Sequence, residues 1–170
     1  MSEPERPSLR RMIEPFRWEN VELRPYKEEG RAPFKNISRQ ALFADPELAG
    51  ELRYFEIAPG GYSTLERHAH VHGVMILRGA GHCLVGRTIR AVKCHDLVHI
   101  APWTWHQFRA DAGEHLGFLC LVNAERDRPQ LPNAADLAEL RSEPAVAAFL
   151  AGTGDAAEGA AVNDSERRSI

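Results

Sequence analysis

Cysteine is scarce: the chain holds Cys83, Cys94 and Cys120, an odd number without C-x-x-C spacing, which argues against a disulfide framework and a thiolate zinc site. Reduced thiols in a cytoplasm fit better. No apolar run approaches the ~20 residues that a membrane-spanning helix needs. Residues 1–11 are charged and broken by Pro4 and Pro7, so no signal peptide is expected. Positive charge is not in excess either. The 21 Lys and Arg against 24 Asp and Glu give a net charge of −3, with no basic stretch and no helical domain suited to nucleic acid. No repeat recurs at solenoid spacing. What remains is a 170-residue chain, long enough for one domain with a proper core.

Histidine is the residue with a pattern. His68, His70 and His72 fall at every second position, and in extended chain such side chains share one face, about 6.5 Å apart. Neutral imidazole is the commonest ligand for transition metals, so this face predicts a bound cation. A straight strand would spread the outer pair over roughly 13 Å, too far for one ion. The spacing therefore requires a turn or bulge near Val71, or a different task for one histidine.

Along the chain, residues 1–11 read as a disordered tail and 12–30 as irregular strands covering a barrel end or reaching a neighbouring subunit. Strands are expected at 34–43, 52–58, 74–77, 82–85, 88–92, 97–100, 105–109 and 116–122. The second of these puts Arg53, Phe55 and Ile57 on one side and Glu56 on the other. Residues 74–77 are continuously apolar, as in a strand buried on both faces. Asp45 to Gly50 reads as one capped helical turn, and Gly86-Arg87 as the type II′ turn of a hairpin. Many short strands with turns every eight to twelve residues indicate an all-β sandwich or small barrel. After Pro132 the period changes. Two short helices are expected within 133–151, the first capped by Asn133, then a disordered tail over 152–170.

Gly61, His68, His70 and Gly79, with Pro102 and His106 downstream, resemble the paired motifs of the cupin superfamily. The resemblance implies a jelly-roll barrel, a double-stranded β-helix over 12–132, with His68, His70, His72 and His106 as the metal set. His72 stands where the pattern usually has Glu, Trp103 where a turn glycine is common, and His95 where glycine precedes Asp96. Such an open imidazole site suits Mn or Fe, with Zn, Ni or Cu also compatible.

Whole strands, including 51–56, 65–68, 102–110, 116–120 and 126–132, are similar to a group of bacterial single-domain cupins, the methylthio-xylulose 5-phosphate methylsulfurylases. That resemblance spans roughly residues 12–150. It implies transfer of the methylthio group of 1-methylthioxylulose 5-phosphate to a thiol such as glutathione, leaving 1-deoxyxylulose 5-phosphate. Cys120, on the strand face of Leu116 and Phe118, or Cys83 would be the protein nucleophile. A proton for the departing carbon would come from an unliganded histidine such as His72 or His99. Arg53 and Arg109, with Lys35 and Arg90 behind them, are the guanidinium and ammonium candidates for the substrate phosphate. A dioxygenase or isomerase of a small keto or enediol substrate, or a non-catalytic ligand-binding cupin, are the rival readings. Apolar edge strands and the amino-terminal arm favour a homodimer.

Overall fold

The computed structural model describes residues 9–27, 32–45 and 47–152. Most of both expected tails lies outside the described residues. The strands follow the two-residue alternation of the sequence. Inward positions are apolar or carry site chemistry, and outward positions meet solvent, the amino-terminal arm or the carboxy-terminal helices.

Four strands close the barrel: β5 (Gly50–Tyr62), β6 (His72–Val85), β9 (His106–Ala110) and β10 (Leu116–Asn123). β10 lies between β5 and β6, β9 pairs with the second half of β6, and the Tyr62–Arg109 pairing returns β9 to β5. β4 (Lys35–Asp45) extends the sheet beyond β5, and β3 (Arg24–Pro25) pairs with β4. β7 (Thr88–Lys93) and β8 (Leu97–Ile100) pair with opposite halves of β6. β6 thus serves two layers, as a jelly roll requires.

The core holds Ile37, Phe55, Ile57, Val74, Ile76, Phe108, Leu116 and Phe118. Phe55 and Phe108 each pack on Phe118, with ring centroids 5.5 and 4.7 Å apart. As the alternation requires, Arg53, Phe55 and Ile57 all face inward. Tyr54, on the opposite face, is equally buried because the arm folds over it. The hairpin of β1 (Met12–Glu14) and β2 (Arg17–Trp18) places Phe16 and Trp18 at 5.6 and 5.2 Å from its ring. Helices α1 (Ala134–Arg141) and α2 (Pro144–Ala151) form as expected, and Asn133 caps α1 in a reciprocal capping box with Asp136. Leu140, Val146 and Phe149 pack with Leu65 and Leu84, and each such burial contributes about 1.5–3 kcal/mol.

Two local expectations are corrected. Asp45 to Gly50 is a hairpin connection: Asp45 pairs with Gly50, and its Oδ1 accepts the Glu47 N–H at 2.8 Å. The carboxylate that would cap a helix caps a turn instead. Residues 74–77 are covered on one face only, with Val74 and Ile76 in the core and Met75 exposed. The Gly86-Arg87 turn is as expected. Gly86 takes φ 66° and Arg87 is not left-handed, the pattern of type II′.

Candidate metal centre and its cavity

The three-histidine run is not a strand. Residues 65–71 form bends and isolated bridges, and β6 starts at His72. Trp103, at the turn after Pro102, donates its backbone N–H to the His68 carbonyl at 2.7 Å. Glu66 and His106 exchange backbone hydrogen bonds in an isolated bridge. Bent in this way, the chain converges the rings that a straight strand would separate. Ligand nitrogens of His68, His72 and His106 all lie within 4.8 Å of one another.

The ring nitrogens are arranged for one purpose. His68 Nδ1 and His106 Nδ1 donate to the carbonyls of His70 and Thr104 at 2.8 and 2.9 Å. His72 Nδ1 meets Cys120 Sγ at 3.3 Å. The Nε2 atoms of His68 and His72 are buried with no partner among the described residues. Two orphaned acceptors side by side cost stability unless a cation occupies the space between them. Burial, with the neighbouring imidazoles His106 and His70, lowers His68 to about 4. Burial followed by His106 and His68 lowers His72 to about 2, and burial pushes His106 down as well. All three are neutral near pH 7, the form that binds metal. Such a donor set fits a divalent cation.

His70 stacks on His68 at 3.6 Å, and its Nδ1 lies 2.6 Å from Asp127 Oδ1. Asp127 also accepts the backbone N–H groups of Ala69 and His70, and these bonds, Ala69 first, hold its carboxyl well below the usual range. A carboxylate fixing one ring nitrogen leaves the other as a ligand. Asp127 carried no signal in the sequence, because it reaches the site from a loop 57 residues after His70.

The histidines line a cavity of about 150 Å³ with Tyr26, Lys27, Arg39, Arg53, Glu66, Cys120, Arg126 and Asp127. The Cupin domain family matches residues 53–122, which hold both histidine blocks. A 1-methylthio-D-xylulose 5-phosphate methylsulfurylase of Rhodospirillum rubrum is 65% identical over 137 residues, covering 81% of this chain and 88% of that protein. The chain is a cupin.

Among solved cupins, a conserved barrel domain protein from Rhodopseudomonas palustris is 64% identical, with TM-score 0.80, covering 84% of this chain and 98% of its own. A cupin-2 domain of Rhodospirillum rubrum is 61% identical with TM-score 0.78, covering 85% and 97%. In this cupin the expected phosphate and thiol candidates divide. Arg53 and Cys120 face the cavity, with the Arg53 guanidinium 3.8 Å from Sγ. Burial raises the Cys120 thiol, and the Arg53 charge and hydrogen bond work against that rise.

Arg109 and Cys83 do not line the cavity. Arg109 lies between the rings of Tyr62 and Phe149, at 4.7 and 4.9 Å, and donates to the Leu150 carbonyl, so it fastens α2 to the barrel. Cys83 is packed in the apolar core, where burial raises it to about 11. Lys35, Arg90 and His99 are exposed on outer positions. The proton-donor role expected for His99 therefore has no geometric support.

Proposed function

We propose that this cupin moves the methylthio group of 1-methylthioxylulose 5-phosphate to a thiol, with glutathione as acceptor, leaving 1-deoxyxylulose 5-phosphate. The observation that carries the reading is Cys120 Sγ in the wall of the histidine cavity, held between His72 Nδ1 and the Arg53 guanidinium. The relative's name supplies the substrate.

His68, His72 and His106 would hold a divalent ion, Mn or Fe by preference, and His70 backed by Asp127 would complete the set. When bound, that ion supplies Lewis acidity toward the oxygens at C2 and C3 of the sugar. The Cys120 thiolate attacks the methylthio sulfur. The C1–S bond breaks, its electron pair passes into the C1–C2–O enolate, and Cys120 is left as a methyl disulfide. C1 then takes a proton, and the ionisable pair at hand in the cavity wall is Lys27–Glu66. Glutathione thiolate attacks the methylthio sulfur of that disulfide and releases the Cys120 thiolate. The sugar carbon is reduced and the thiols are oxidised, so electrons balance. Arg53 steadies the thiolate by donating to Sγ.

The protein would work in the cytoplasm, where glutathione is abundant, as a homodimer joined through the outer face of Met75, Leu97 and Leu121, all exposed. The test is incubation with 1-methylthioxylulose 5-phosphate and reduced glutathione after elemental analysis of the purified protein. Deoxyxylulose 5-phosphate should form, and His68→Ala should lose both bound metal and product. Metal at full occupancy without product would reject the substrate assignment and send the search to oxygen-dependent and isomerase reactions.

A further inference from the structure

The cavity wall has a charge imbalance. Its ionisable side chains other than histidine, cysteine and tyrosine are Lys27, Arg39, Arg53, Glu66, Arg126 and Asp127. Lys27 pairs with Glu66, Asp127 is held by His70, and Arg126 pairs with Glu51 at 2.6 Å. Arg39 and Arg53 have no carboxylate partner among the described residues. Arg53 is 8% exposed, and its Nε is buried without an acceptor. A cationic N–H shut away from water costs stability unless something accepts from it.

The register brings the two arginines together. Across the β4–β5 pairing Ala41 stands opposite Arg53 and Arg39 opposite Phe55, with no register shift between 39 and 41. Arg39 and Arg53 are therefore diagonal neighbours on the inward face, roughly 7–8 Å apart. Ala41 is small and exposed, which leaves this corner open. Arg39 also lines the outer vestibule that continues from the cavity past Tyr26, Lys27 and Pro129. Burial first, then the charge of Arg53, depresses Arg39, as expected of like charges held close.

We propose that Arg39 and Arg53 form an anion subsite at the mouth of the cavity that takes the phosphate monoester of the substrate. Two guanidiniums with no carboxylate paired to them among the described residues match a group carrying about −1.5 to −2 charges near neutral pH, and each presents a planar fork to its oxygens. The phosphate identity rests on the function proposed above; the anion subsite rests on the charges and register alone. It assigns to Arg39 the role that the sequence reading gave to Arg109.

Two measurements separate the subsite from the reaction. The first is calorimetric titration of the chelator-treated protein with inorganic phosphate, comparing wild type with Arg39→Gln, Arg39→Lys and the exposed control Arg90→Gln. Arg39→Gln should weaken phosphate by about 10- to 100-fold, the range for a lost hydrogen bond to a charged group. Arg39→Lys should weaken it less, and Arg90→Gln should match wild type. The second is the ratio of kcat/KM for 1-methylthioxylulose 5-phosphate over its dephosphorylated form. Arg39→Gln should lower that ratio by a similar factor, chiefly through KM. Equal phosphate affinity in wild type and Arg39→Gln, with both folded by circular dichroism, would overturn the subsite. An unchanged substrate ratio beside weakened phosphate binding would overturn the phosphate assignment. Phosphate binding without turnover of either sugar would keep the subsite and sink the reaction.

Discussion

His68 and His72 are polar side chains buried as neutral rings, and their protonation behaviour follows from that placement. An unfolded histidine takes a proton near its ordinary value of 6.5, whereas folded His68 takes one only at about 4. As pH falls from 6.5 toward 4 the unfolded state binds the extra proton and the folded state does not, so stability drops across that window. The metal-free protein should keep a constant melting temperature from pH 8 to 7 and lose it progressively below 6.5. Added Mn²⁺, competing with protons for the same nitrogens, should raise the melting temperature more at pH 7 than at pH 5. A flat profile from pH 7 to 5 would contradict the burial of neutral imidazoles. The histidine spacing made this site legible in the sequence, including the need for a bend. Asp127 and Arg39 were not legible. One reaches the site from a distant loop and the other through strand register, and neither leaves a local pattern.

At the scale of elements, the turns were read more accurately by residue type than by conformation. Gly61, Gly79 and Gly86 were recognised as turn or motif positions, whereas Asp45 to Gly50 suited two local structures and the pairing of β4 with β5 decided between them. His95 and Trp103, which replace glycines of the cupin pattern, adopt φ 77° and 58°, the left-handed region that glycine would enter without strain. Gly79 keeps its glycine for two reasons. It takes φ 66°, and a Cβ there would stand 1.8 Å from the His115 carbonyl oxygen. Gly79→Ala should cost roughly 2–4 kcal/mol, combining left-handed strain with a backbone shift. Urea unfolding measures it, and a loss below about 0.5 kcal/mol would contradict the close packing of β6 against the turn before β10. Strand parity, by contrast, was fully legible: Arg53 shares the inner face with Phe55, and Cys120 with Phe118.

For the molecule as a whole, alternation and turn spacing pointed to a small barrel, and the paired histidine blocks narrowed it to a cupin. Continuous apolar residues at 74–77 did not distinguish a doubly buried strand from one whose outer face is exposed. Met75 pairs with Leu97 across β6 and β8, and Leu121 pairs with Gly73 beside them, so the exposed apolar side chains adjoin. Light scattering should give a dimer, and the double substitution Met75→Lys and Leu97→Glu should give a folded monomer; a monomeric wild type would contradict this use of the face. Cys120 carries the proposed methylthio transfer, and intact-protein mass spectrometry tests that role most directly. Metal-loaded protein mixed with 1-methylthioxylulose 5-phosphate in the absence of glutathione should gain the mass of one methylthio group on Cys120, and glutathione should remove it. Undiminished single-turnover product in Cys120→Ala, with no adduct on the wild type, would contradict the account.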